Sequence, residues 1–501
     1  MSITVNGPVA FSLAEPFATC RDISICRTRY TIIWSSLVTI LACVWTAVHR
    51  NVPGPARAGQ SWLRRTVARM LEVGKIVVVT LLVPEWVLAW AVQQFLNARE
   101  IRRELEATRA EAQIAWDAKR ELLQGMKRGG VEASSRGSGY ETETTSTGIE
   151  RIPTDDKETG ETQSDSTVES QEEVTGDRSE WDNDQLAFDE SAMAVDDGAG
   201  RRNCKWTIQH GFFVAMGGFH CYKNGEPNHP LSPTDVIELV KTGNLVPPTD
   251  DEIRGWSQGD ALSKILAVVQ TLWFVIQCIA RRAEGLPITQ LEVMTLAYTT
   301  VTVTMYAFWW DKPQNVGSPV RVVVKKLPEQ VPADELGWYE HAFYAIVGWQ
   351  DTFRDLRNLP RVPTFYSGDT AKDNGLYADI VALFAAMVFG AVHCAAWDYA
   401  FPSRAEELIW RISSVSIVVV PGTMLVPILL LIGVDKLFSD YGILYGGFKL
   451  EAIFATLFFF SGPIYVAARI LLLALSFTTL RSLPFDAYRA VQWTLLIPHF
   501  T

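Results

Sequence analysis

A run of about twenty apolar residues has only two stable fates: the centre of a large core, or a helix across a bilayer. This chain of 501 residues contains seven such runs, Tyr30–Val48, Ile76–Phe95, Ala261–Ala280, Ile288–Trp310, Tyr377–Trp397, Leu408–Val434 and Ala452–Phe477. Polar or turn-forming residues flank each of them, among them "HRNVPGP", "NARE", "RRAEG", "DKPQN" and "RSLP". Aromatic residues gather at the ends, as "FWW" at 308–310 and "WDY" at 397–399, where rings of a membrane helix sit at headgroup level. Seven runs are too many for one soluble core. The expected fold is all-α, a polytopic helical membrane bundle of about seven spans, with the lipid bilayer as its first partner. Such a chain is an integral, multi-pass protein; a plasma membrane and an endomembrane are both compatible with it.

The net charge of −11 conceals two different polymers. Residues 131–200 hold 20 acidic and four basic side chains, a local charge of −16, so the remainder is about +5. That block is rich in Ser, Thr, Gly and Glu and almost free of large apolar residues, so it cannot bury enough surface to offset the entropy of ordering. We expect a disordered acidic linker over 126–203, serving as a solvated tether or, with its many hydroxyls beside acids, as a phosphorylated segment that recruits cytoplasmic protein partners. The chain then divides into an N-terminal tail (1–29), two apolar segments and a charged helix (30–125), the linker, a juxtamembrane segment (204–260), the third and fourth spans (261–310), an interfacial connection of surface helices (311–376), the fifth to seventh spans (377–480) and a C-terminal tail (481–501).

Basic residues in short loops set orientation. Arg50, Arg57, Arg64, Arg65, Arg69 and Lys75 follow the first run, Arg281 and Arg282 the third, and Arg481 and Arg489 the last, which favours an external N-terminus and a cytoplasmic C-terminus. Arg99, Arg102 and Arg103 conflict with that order. One resolution is that Ile76–Phe95, interrupted by "PEW" at 84–86, does not cross, and that 206–222 crosses in its place. The seven cysteines show no Cys-x-x-Cys pair, so no metal site is expected; Cys20 and Cys26 could form a disulfide if the tail is extracytoplasmic.

Charged residues inside apolar runs face the bundle interior, pair, or mark a pathway. Glu85 lies in the second run, Arg469 in the seventh, and His393 inside the fifth. Glu85 and Arg469 are expected to pair if their runs pack together, or, with His393, to line an ion or proton path; Arg469 could instead snorkel to the interface. His393 and Asp398 spell H-x4-D, the spacing with which glycerolipid acyltransferases orient a general base, but the companion block of that family is absent. The rest of "DYAFPSRAEELIWR" reads as a hinge and helix start: Pro402 forces a turn, Ser403 and Glu406 form a capping box, and Glu407 pairs with Arg411. There is no phosphate loop and no zinc-protease or serine-triad motif, and no cofactor or nucleic-acid partner is indicated.

Four stretches taken in order, "CRDISICRTRYTIIWSSLVTILACVWTAVHRNVP", "WFVIQCIARRAEGLPITQLEVMTLAY", "GAVHCAAWDYAFPSRAEELIWR" and "RSLPFDAYRAVQWTLLIPHF", resemble a large group of uncharacterised fungal, basidiomycete-type, multi-pass integral membrane proteins. The resemblance implies a membrane protein of that kind and brings no assigned activity with it. Three functions follow as expectations: a transport or channel-like bundle; a membrane sensor or scaffold acting through the acidic insert; and a membrane acyltransferase-like enzyme using His393 and Asp398, the least favoured because a non-enzyme is expected.

Overall fold

The computed structural model describes residues 26–46, 48–55, 61–136, 204–257, 260–323, 355–368, 372–438 and 447–492. The expected acidic linker falls almost wholly outside them. Among the described residues there are eleven α-helices: α1 (Arg29–Thr46), α2 (Trp62–Leu82), α3 (Pro84–Arg136), α4 (Ile208–Ala215), α5 (Pro233–Lys241), α6 (Asp250–Trp256), α7 (Asp260–Ala283), α8 (Gln290–Phe308), α9 (Lys372–Cys394), α10 (Arg404–Phe438) and α11 (Gly447–Thr478).

Six helices run from one end of the bundle to the other, alternating in direction. One end is marked by Arg27, whose backbone N–H donates to Tyr488 O at 2.7 Å and whose guanidinium pairs with Glu292 in the first turn of α8. The last turn of α7 meets it there, Arg281 donating to the carbonyls of Arg489 (2.7 Å) and Pro287 (2.8 Å). So do the turn after α9, through Gln290 to Ala400 O, and the start of α10, through Glu406 to Arg481. At the opposite end His49 O, just past α1, accepts from Lys312, just past α8, and Asn374 at the start of α9 reaches Asn97 and Glu100. Helices α1, α7, α8, α9, α10 and α11 therefore each span the bundle, and the chain near residue 26 and the chain near residue 489 lie at the same end. This corrects the expectation that the described ends of the chain lie on opposite sides: residues 27 and 488 meet at one end of the bundle.

The second apolar run is not one straight span. Helices α2 and α3 meet at an angle of 109° across Val83. Pro84 has no N–H to continue the helix and its ring disfavours helical geometry at Val83, whose φ/ψ is −142/63. Glu72 on α2 reaches Arg361 and Thr364, while Gln94 on α3 donates to Tyr366 O, so both arms open toward the Lys312 end. From Pro84 to Gln94 the helix rises about 15 Å, half of the roughly 28 Å of α8. The pair is a hairpin that enters and leaves at one end with its apex halfway through.

By length and composition four helices are able to cross a membrane, Lys264–Ala283, Asn374–Cys394, Arg404–Leu430 and Phe459–Ser482, and the bent pair would make a fifth only if counted as one span. Arg29–Trp45 is apolar but shorter. Helix α8 packs against α1, α3, α7, α9 and α11 and is buried along most of its length. Its threonines hide their own polarity: the hydroxyls of Thr295, Thr299, Thr300 and Thr304 each donate to the carbonyl four residues earlier.

The segment 206–222, expected as an alternative crossing, belongs to a small folded cap. Of 206–222, only α4 is helical before the chain enters β1 (Phe219–Lys223). Strand β1 turns through Asn224 and Gly225, both at positive φ as a tight hairpin requires, into antiparallel β2 (Glu226–Pro230). Strand β3 (Val320–Val323) pairs with the other edge of β1 in parallel, giving the order β2-β1-β3. The fold is thus mostly helical rather than all-α. Phe213, Phe219, Val236 and Ile253 join Ile101 and Leu105 of α3 in one core, which fixes the cap to the outgoing arm of the hairpin. The described parts of 311–376 hold β3, a 3₁₀ turn at Leu356–Asn358 and the first residues of α9, and the aromatic stretch 337–349 on which surface helices are expected lies outside the described residues.

Candidate functional site

The hairpin apex is where the charged residues of the apolar runs meet. Breaking the helix at Val83 leaves the last carbonyls of α2 without helical partners. Tyr298 on α8 donates its hydroxyl to one of them, Leu81 O. On the other side of the break Pro84 occupies the first position of α3, where a missing N–H costs nothing, and Glu85 lies in the first turn, where the helix dipole favours an anion.

Glu85 accepts from Arg469 Nη2 through one carboxylate oxygen and from Tyr465 Oη at 2.6 Å through the other. Tyr465 and Arg469 are four residues apart on α11, so one helix face delivers both; Arg469 also donates to the tyrosine oxygen from Nη2 at 2.8 Å and Nε at 3.2 Å. Arg469 is 3% and Glu85 8% exposed. The arginine therefore does not reach for an interface. Its Cζ lies 3.5 Å from the centre of the Phe389 ring, a close cation–π contact. Arg469 Nη1 is fully buried and has no hydrogen-bond partner.

His393, one turn beyond Phe389 on α9, is fully buried, its Nδ1–H donating to Phe389 O at 2.7 Å and its Nε2 facing Met294 Sδ at 3.3 Å. Its ring lies 4.8 Å from that of Phe389, so it touches the arginine's aromatic support rather than the ion pair. Asp398 is exposed and lies 3.9 Å from Arg411, so the structure does not bring His393 and Asp398 together. The remaining polar residues of that hinge do as their spacing suggests: Glu406 N–H donates to Ser403 Oγ at 3.3 Å and Arg411 pairs with Glu407 at 2.8 Å.

Several residues of the site have no pattern that would single them out in sequence: Tyr298, Tyr465 and Phe389 read as ordinary apolar-run aromatics. A second buried cation is Lys312, held by His49 O, Gln94 Oε1 (2.7 Å) and Asn51 Oδ1 (3.4 Å), with the rings of Trp90 and Trp309 each 4.8 Å away. It ties the ends of α1 and α8 to the outgoing arm of the hairpin, and its one sequence signal is a lysine set between "FWW" and a proline. Among the described residues no group of His, Cys, Asp or Glu could hold a metal ion.

A helical bundle invaded from one end by a broken helix pair, with a buried ion pair at the apex, is the class that fold and site define. The chain belongs to a family of proteins of unknown function, DUF8562, whose model matches residues 8–132, 177–335 and 353–500. No curated protein and no solved structure matches it.

Proposed function

We propose that this is an integral membrane protein with six crossing helices and one re-entrant helix pair, working as a transporter or channel for a small solute. The observation that carries this reading is the Glu85–Arg469 ion pair at the hairpin apex. Burying two charges in the middle of an apolar bundle is costly, and hydrophobic replacements of similar volume would often be as stable, so stability alone is a weak reason for such a pair. Broken helices whose ends point at the bilayer midplane are the form in which transporters hold their substrates. The fungal multi-pass group that the sequence resembles belongs to the same proposal.

Two features support one orientation. Cys26 is disulfide-bonded, which suits an oxidising compartment at the end where both tails lie. Arg50, Arg64, Arg65, Arg69, Lys75, Arg99, Arg102 and Arg103 all belong to the opposite end, which suits the cytoplasm. In this orientation the acidic linker and the cap lie on the cytoplasmic side, and Arg281, Arg282, Arg481 and Arg489 lie at the opposite end. A scaffold role is the second reading, and its support is that α3 continues past the bundle as far as Arg136.

The test is solute flux through the purified protein in liposomes. Glu85→Gln combined with Arg469→Gln is expected to abolish flux while leaving insertion and monodispersity intact. Undiminished flux in the double variant would remove the apex from the pathway.

A further inference from the structure

We propose that the hairpin apex is a binding site for a small carboxylate anion, a place that the side chain of Glu85 occupies in this structure. The inference deepens the transport reading by naming a substrate class, and depends on that reading only for the movement of the bound anion.

Two independent features make the apex attractive to an anion. The N-terminus of α3 ends halfway through the bundle, with the positive end of its dipole turned to the apex. Arg469 brings a full positive charge to the same place, since its Nη2 reaches Glu85 in that first turn. A guanidinium can bind a carboxylate through two parallel N–H donors, yet here Nη1 is buried without a partner. The site is built for more acceptor than Glu85 supplies. Phe389 holds the guanidinium plane from one face and Tyr465 Oη adds a neutral donor, so the geometry suits a planar ligand with two oxygens.

The group now in the site is itself a carboxylate, which is why the chemistry of the ligand is read from it. The titratable and charged groups around Glu85 are Arg469 and Tyr465 on α11, Tyr298 on α8 and, behind Phe389, His393 on α9. Arg469 is the one permanent charge among them. An incoming anion therefore competes with the Glu85 carboxylate for the donors of Arg469 and Tyr465.

The experiment is acetate binding to the full-length protein in detergent, read by tryptophan fluorescence, with chloride as the comparison anion. In the unaltered protein acetate is expected to bind weakly, because Glu85 competes for Arg469, and in Glu85→Gln about tenfold or more tightly. Arg469→Gln is expected to lose binding altogether. Acetate that binds a monodisperse Glu85→Gln variant no more tightly than the unaltered protein, or that still binds Arg469→Gln, overturns the proposal. Chloride binding as tightly as acetate overturns the carboxylate class. Acetate bound as expected but carried across no membrane leaves the site standing and removes the transport reading instead.

Discussion

Arg469 and Glu85 lie 384 residues apart in the chain and form one hydrogen-bonded ion pair, with Tyr465 bonded to both. Neither charge has water to fall back on. Glu85→Ala is expected to strand the guanidinium and cost about 3–5 kcal/mol, and adding Arg469→Leu to recover a large part of the loss. A double-mutant cycle on detergent-solubilised protein measures this directly. Coupling of about 1–3 kcal/mol is expected, and strictly additive losses would mean that the two side chains stabilise the bundle separately.

The contact between Arg27 and Tyr488 puts these two residues at the same end of the bundle. Single cysteines placed at Tyr30 and Phe485 are expected to react from the same face with a membrane-impermeant maleimide. One at Glu104, on the outgoing arm of the hairpin, should react only after permeabilisation. Opposite reactivity of positions 30 and 485 would require an odd number of crossings and break the six-pass model.

The cap should loosen in acid. His210 Nδ1 accepts from Thr207 N–H at 3.0 Å and its Nε2–H donates to Pro248 O at 2.6 Å, so the fold uses the neutral ring. Burial pushes the pKa of this histidine below its ordinary value, against the opposing pull of the Pro248 carbonyl and of Asp250. A proton on Nδ1 would remove the acceptor that holds the start of α4. Because the folded pKa is the lower one, the stabilisation is complete above the unfolded value of about 6.5 and fades as pH falls through the folded one. Hydrogen exchange across 208–215 is expected to quicken below about pH 6, and His210→Gln to flatten that dependence.

Helices α9 and α10 touch through a glycine. A methyl group at Gly390 would lie 2.7 Å from Val418 Cγ2 and 2.9 Å from Val418 N, and backbone cannot move aside cheaply. Gly390→Ala should therefore cost about 1–3 kcal/mol by overpacking. The matched control is Gly462→Ala on α11, where the space is open, and there the higher helix propensity of alanine is expected to leave stability unchanged or slightly raised. Equal melting temperatures for the two variants would deny the close crossing.

What the residue order decided on its own is what local chemistry can decide. The apolar runs and their polar ends follow from composition along the chain, as does the helix start at Ser403–Glu407. Glu85 and Arg469 stood out because a charge in an apolar run is anomalous wherever it occurs. Pro84 announced a break, since a missing N–H and a ring clash act within one turn. Only the tertiary structure decided that the break is a 109° reversal, because Glu72 and Gln94 must both find partners in the 361–366 segment. The direction of each pass was equally hidden. A hydrophobic run specifies that a helix is buried and how long it is, but it reads the same from either end. So only the contact of Arg27 with Tyr488 shows that the chain returns to the end of the bundle at which it entered. The third strand was out of reach for a similar reason: "VRVV" at 320–323 has nothing local to pair with, and its partner β1 lies on a segment about a hundred residues earlier. Tyr465, Tyr298 and Lys312 look like ordinary side chains until distant backbone brings an acceptor to them. Local physics thus set what each segment is, and long-range contacts chose its neighbours.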